Sequence, residues 1–310
     1  MEGSAAATVS KSVEVELGAL FDGEQCEVAT QYGSITVSVV GDRSLPACIT
    51  LPDLALGHQA CFQKFFLCAG EHSLLLRNFC FYHVVSTGYD DKTRRALTLV
   101  QMEEQVALVV QHFSLEKPTA IGAGTGGHIL LRYAQKHNLR GLILISPLCS
   151  GTKLMERLTN YALIFTLRRY GWTNWSIDQV LQRFFSNAGR GVISYTDLAL
   201  GMRRELRAIE PLRIASHLEA AQNREDLIAR LSEVKAGRIL LVVGEFSPYK
   251  QESLDLNEKL DKRISSWIEV DKSGSLVSEE QPLAMILPIH YFLQGIGVID
   301  PSANPPVLQE

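Results

Sequence analysis

Ile121-Gly122-Ala123-Gly124-Thr125-Gly126-Gly127-His128 is the stretch whose reading decides the fold. A short apolar run, Thr119 to Ala123, precedes it. Gly126 to His137 follows, with Ile129, Leu130, Tyr133 and Ala134 at helical spacing. The glycines therefore sit at a strand-to-helix turn, and two frames fit them. Gly122, Gly124 and Gly127 satisfy the dinucleotide pattern G-x-G-x-x-G, but that loop belongs after the first strand of a βαβ unit, with an acid about 20 residues on. Here several strands come first, and the next strand ends Ile145-Ser146-Pro147 without an acid. The second frame is the nucleophile elbow G-x-S-x-G, matched by Gly122-Ala123-Gly124-Thr125-Gly126. Its central position holds Gly124, which accepts a strained backbone but has no atom with which to attack a carbonyl.

Outward from the elbow, the chain alternates. Cys26 to Thr30, Ser34 to Val40, Cys48 to Leu51 and Phe79 to Val85 read as strands, with Ser34 to Val39 expected at an antiparallel sheet edge. Helices are expected over Gln59 to Leu67 and Leu97 to Phe113, and a fully apolar strand over Leu142 to Ile145. From Ser150 to Ala236 the alternation gives way to helices over Lys153 to Tyr170, Ile177 to Asn187, Tyr195 to Ile209 and Arg224 to Val234. It returns with Ile239 to Val243, Tyr249 to Leu260, Trp267 to Val270 and Pro282 to Phe292. The expected architecture is α/β: an α/β-hydrolase-like, mostly parallel sheet with helices on both faces and an all-helical cap insertion. The divisions are a flexible N-terminus over 1–11, core over 12–149 and 237–296, cap over 150–236, and a wandering tail over 297–310.

The other two triad positions are read from their flanks. The acid is expected in V-G-x-x-D-P; Val243-Gly244-Glu245-Phe246-Ser247-Pro248 puts Ser247 there. The histidine is expected in G-H-x-x-x-x-E-x-P; Gly274-Ser275-Leu276-Val277-Ser278-Glu279-Glu280-Gln281-Pro282 puts Ser275 there. Nucleophile, base and orienting acid are all replaced, so a non-catalytic member of the fold is expected.

With these residues in hand, the chain resembles the N-myc downstream-regulated (Ndr) family, its plant branch in particular. The resemblance rests on Leu51-Pro52-Asp53-Leu54-Ala55-Leu56-Gly57-His58 with Cys61-Phe62, on Asn78-Phe79-Cys80-Phe81-Tyr82-His83, on Gly141-Leu142-Ile143-Leu144-Ile145-Ser146-Pro147-Leu148-Cys149, and on Gly274 to Pro282. It implies a hydrolase-like fold without hydrolase activity. It also implies roles in growth, development or stress signalling, and partnership with a heterotrimeric G-protein β subunit. Two departures stand out: the loop Ser86 to Thr93 is short and lacks prolines, and the family's Ser/Arg-rich tail is missing.

Composition sets the remaining limits. The 310 residues are 46% hydrophobic with a net charge of −4, enough apolar material for a sizeable core and a poor balance for gripping nucleic acid. No apolar run is long enough to span a membrane, and Met1 to Glu16 lacks the apolar segment of a secretory signal, so a cytoplasmic protein is expected. The six cysteines read as free buried thiols, and neither a metal nor a cofactor is expected.

Further candidates are Pro52, Asp53 and Thr125 at the rim of the degenerate site, with Asp53 expected to cap its own turn. Thr125 with His128, three apart on a helix, is a conceivable displaced nucleophile and base, against a plain helix start. Cys149 lacks an evident base. The cap holds 13 Lys and Arg against 9 Asp and Glu, the remainder 17 against 25. Arg168, Arg169, Arg203, Arg204 and Arg207 form two clusters, either solvated or a docking surface for an acidic protein or membrane headgroups. Trp172 and Trp175 would anchor such an interface or pack in the core. The alternatives to a protein-binding role are a small-molecule receptor using the capped pocket and a weak hydrolase.

Overall fold

The computed structural model describes residues 23–53, 56–68, 73–85, 88–90, 95–185 and 197–305. The expectations for 1–11, for most of the 86–93 loop and for the end of the tail lie outside these residues.

The first strands are β1 (Glu24–Thr30), β2 (Gly33–Val40) and β3 (Ala47–Leu51). Helices α1 (His58–Leu67) and α2 (Leu74–Asn78) lead to β4 (Cys80–Val85). A small ribbon, β5 (Tyr89–Asp90) and β6 (Arg95–Ala96), precedes α3 (Leu99–His112), whose start is fixed by a capping box between Thr98 and Gln101. β7 (Thr119–Ala123), α4 (Gly124–Lys136) and β8 (Gly141–Ile145) follow.

The cap then runs through α5 (Leu154–Tyr170), α6 (Asn174–Phe184), α7 (Asp197–Ala208), α8 (Pro211–Gln222) and a 3-10 turn over Ile228–Glu233. The chain closes with β9 (Ile239–Gly244), α9 (Lys250–Lys259), β10 (Ser265–Val270), α10 (Val277–Glu280), a 3-10 turn over Pro282–Met285 and α11 (Ile286–Gly295).

Eight strands form one sheet in the order β1-β2-β4-β3-β7-β8-β9-β10. β1, β2 and β4 pair antiparallel, and every pair from β4–β3 to β9–β10 is parallel. β7, β8 and β9 are buried along their whole length, as uniformly apolar central strands under helices on both faces should be.

Four expectations need correction. The alternating Ser34 to Val39 segment is in the second strand; β1 is the edge and covers it. The helix expected over Arg224 to Val234 is only the 3-10 turn, because Leu227 N–H is drawn to the Cys149 carbonyl and Ile228 N–H to the Asp226 side chain. Between the expected helices the structure adds α8, with Pro211 at its first position as a normal helix start. The tail over 297–305 is held rather than wandering: Gln294 Nε2 donates to the carbonyls of Asp300, Pro301 and Ala303.

Candidate functional site: a plugged elbow

β7 ends at Ala123, and the first residue of α4, Gly124, has φ +48°, the sharp turn expected of an elbow. Gly126 lets the backbone of Leu51 and Pro52 at the end of β3 come against α4, where any Cβ would collide with their carbonyls. That approach carries the next residue, Asp53, over the turn. Its carboxylate Oδ1 accepts the Thr125 N–H at 2.8 Å, and a Cβ at Gly124 would lie inside the same carboxylate. In hydrolases, the N–H following the nucleophile is half of the oxyanion hole. Here a fixed internal anion takes that donor, and its side chain fills the space a nucleophile would need. Asp53 thus caps α4 across 72 residues of sequence.

Ser247, just beyond β9, and Ser275, in the loop before α10, come together: their hydroxyls are 2.9 Å apart. Tyr249 N–H donates to Ser247 Oγ at 3.2 Å. The cap closes on the same loop. The Phe184 carbonyl at the end of α6 accepts the N–H groups of Ser275, at 2.7 Å, and Leu276, at 3.1 Å. The serines form a neutral, buried bridge, and neither hydroxyl takes a proton from a nucleophile at neutral pH.

The displaced pair does not assemble. His128 is buried, and its Nδ1 faces the Leu148 carbonyl at 3.0 Å. Burial depresses its pKa to about 4, so the ring is neutral. Thr125 Oγ1 has no hydrogen-bond partner among the described residues. The Cys149 thiol bonds to the Glu252 carbonyl at 3.1 Å, and burial pushes its pKa far above that of a free thiol, leaving it inert. All six cysteines are free; Cys26 and Cys68 are half-buried rather than buried.

The arginine clusters are partly spent inside the fold. Arg168 pairs with Glu219 and Arg203 with Asp178, while Arg207 reaches Asn174 at 3.2 Å. Arg169 lies 5.6 Å from the Tyr170 ring, and Arg204 is exposed. Trp172 donates to the Ile209 carbonyl and packs on the core, whereas Trp175 is exposed.

Sequence reasoning missed the cation that ties cap to core. Arg224, just after α8, has a fully buried side chain. It makes a bidentate pair with Glu156 of α5, both bonds 2.9 Å, and reaches Glu252 of α9 at 3.2 Å. Glu252 Oε2 in turn accepts the N–H groups of Cys149 and Ser150 at 3.1 Å. No local pattern marks this site, because the partners of Arg224 lie 68 and 28 residues away in the sequence. Beside it, a cavity of about 600 Å³ opens between α4 and α8, lined among others by Leu97, His128, Arg132, Arg168 and Arg224.

Comparison with known proteins agrees with this architecture. A family model described as "Ndr family" matches residues 25–300. The chain is 36% identical to Protein NDL1 of Arabidopsis thaliana over 305 residues, covering 94% of this chain and 87% of that protein. It is 34% identical to Pollen-specific protein SF21 of Helianthus annuus, covering 90% and 82% respectively. Among solved structures, a thermophilic esterase from Thermogutta terrifontis superposes with a TM-score of 0.71 at 16% identity, over 88% of this chain and 99% of that one. At that identity the likeness speaks to fold alone.

Proposed function

The chain belongs to the Ndr family, and from that premise and the plugged elbow we propose that it is a non-catalytic protein of the α/β-hydrolase fold that works in signalling by binding other proteins. The observation that carries this reading is the Asp53 carboxylate seated on Thr125 N–H over a side-chain-free Gly124. An acyl substrate would have to displace the Asp53 carboxyl from the oxyanion hole, and would then meet Gly124, Ser275 and Ser247 where nucleophile, base and acid are expected. The Ser247–Ser275 bridge and the Phe184 carbonyl on the Ser275 loop support it further, because they close the space where a histidine would move. The reading includes a cytoplasmic location, supported by six free thiols. It also includes a G-protein β subunit as the partner to try first, on the family resemblance alone. No helix among the described residues is long and apolar enough to cross a membrane.

Purified protein incubated with short-chain p-nitrophenyl esters should release product at the buffer rate. Turnover above that rate, abolished in Thr125→Ala or Cys149→Ala, would overturn the reading. A second reading, binding of a small molecule, draws on the cavity between α4 and α8. A metabolite screen by thermal shift tests it: a ligand that stabilises the native chain but not Arg132→Ala supports it, and a screen with no stabilising ligand removes it.

A further inference from the structure

Helix α5 carries an amphipathic pattern pointed the wrong way for a core. Leu154, Leu158, Tyr161 and Phe165 recur at spacings of four, three and four residues and share one face, with Met155 beside them. These side chains face solvent, with exposures of 72%, 55%, 53% and 63%, and 73% for Met155. The opposite face, with Asn160, Leu163, Ile164 and Leu167, is the buried one. Exposed Tyr170, the last residue of the helix, and Trp175 beyond it extend the aromatic surface. A contiguous apolar strip of this kind on a monomer marks something that covers it.

The charges decide what that is. Exposed Lys153, Arg157 and Arg169 border the strip, and Arg168 beside them is paired with Glu219. The helix has one carboxylate, Glu156, and it is turned inward onto Arg224. We propose that the exposed face of α5 is a docking surface for an anionic lipid membrane, with Leu154, Met155, Leu158, Tyr161 and Phe165 entering the headgroup boundary and the flanking cations meeting acidic headgroups. Apolar and aromatic side chains on one face with cations along its borders are what an interfacial helix requires. A second copy docked across a two-fold axis fits poorly. An antiparallel α5 pair would set Lys153 and Arg157 against Arg168 and Arg169, and a parallel pair would set each cation against its own copy. A protein partner would need its own groove lined with acids, whereas a membrane accepts a protruding helix directly. The face shares no residue with the elbow, so its failure would leave the non-catalytic reading untouched, and the reverse holds too.

The test is co-sedimentation of the full chain with vesicles of phosphatidylcholine alone and of phosphatidylcholine mixed with phosphatidylserine. We expect partition to the mixed vesicles only, weakening as salt rises, and falling about tenfold or more in Leu158→Asp/Phe165→Asp and in Lys153→Glu/Arg157→Glu. Because these residues are exposed, melting midpoints should match the native chain. A measurement that needs no fold-sensitive variant is quenching of Trp175 emission by brominated phosphatidylserine, absent in Trp175→Phe. No partition to mixed vesicles, or equal partition by native chain and both variants, overturns the proposal. So does a dimer in sedimentation velocity that Leu158→Asp/Phe165→Asp dissolves, which would give the face to a second copy.

Discussion

At Gly124, two independent constraints require the absence of a side chain: the left-handed backbone, and the carboxylate of Asp53 in the space a Cβ would take. Gly124→Ser should therefore be destabilising, by about 1–2 kcal/mol for the backbone alone and more for the displaced carboxylate. Asp53→Ala should also cost stability, about 1–3 kcal/mol, because Thr125 N–H loses its acceptor in a buried place. The two losses should not add. Once Asp53 is truncated the serine has room, so the double variant should recover about 1 kcal/mol relative to the sum. Urea unfolding of the four proteins measures the coupling, and strict additivity would show that Asp53 and position 124 do not compete for one space. The flanks of three motifs single out Gly124, Ser247 and Ser275 in the sequence, and the structure gives Gly124 a left-handed backbone and sets the two serine hydroxyls 2.9 Å apart. The role of Asp53 was not legible, since it depends on how closely β3 approaches α4, a property of the fold and not of any local pattern.

Among the elements, short α10 brings two neighbouring carboxyls indoors. Glu279 accepts Lys64 N–H of α1 at 3.0 Å, and Glu280 accepts Gly274 N–H at 2.6 Å. Burial raises their pKa values, to about 8 for Glu279 and about 7 for Glu280. A carboxyl raised in the folded state holds a proton that the unfolded chain has already released, so it costs stability as pH rises from its unfolded value toward its folded one. His128, and His83 with it, act oppositely. Held neutral by burial, they cost stability as pH falls below the ordinary imidazole value. The native profile mixes both limbs, so the decisive quantity is a difference. Glu279→Gln keeps the acceptor for Lys64 N–H and removes the titration. Its stability relative to the native chain should climb by about 1–3 kcal/mol between pH 5 and pH 8 and level off above. Unfolding midpoints at four pH values check this, and a flat difference would show that Glu279 is ionised in the fold throughout. Legibility at this scale followed locality. Capped or strongly periodic α3, α5 and α6 were found, while α8 and the 3-10 turn at 228 were not. The α8 segment carries little charge to set off one face, and tertiary bonds from Leu227 override helical spacing.

For the whole molecule, the question is whether cap and sheet are two units or one. The sequence reads as one α/β domain carrying a helical insertion. The structure joins it to the body twice. One apolar cluster runs without interruption from Phe62, Ile121 and Ile143 under the sheet to Leu163, Val180 and Phe184 of the cap. The buried Arg224 binds α5 to α9 through Glu156 and Glu252. The chain should therefore unfold in a single step. Tryptophan positions allow a direct reading: Trp172 and Trp175 report the cap and Trp267 of β10 the sheet. In Trp267→Phe, emission follows the cap alone, and its urea midpoint should coincide with the far-UV circular dichroism midpoint of the whole chain. Arg224→Ala takes the main cation from half-buried Glu156 and from buried Glu252 and should cost about 3–5 kcal/mol, with the cap midpoint moving below the circular dichroism one as cap and sheet uncouple. Arg224→Met with Glu156→Gln and Glu252→Gln removes the charges together and should recover much of that loss, because the penalty lies in anions left without their cation rather than in the missing bond. If the cap midpoint already precedes the other in the native chain, the insertion is an independent unit. The apolar cluster would then be a contact between two folded parts and not a common core.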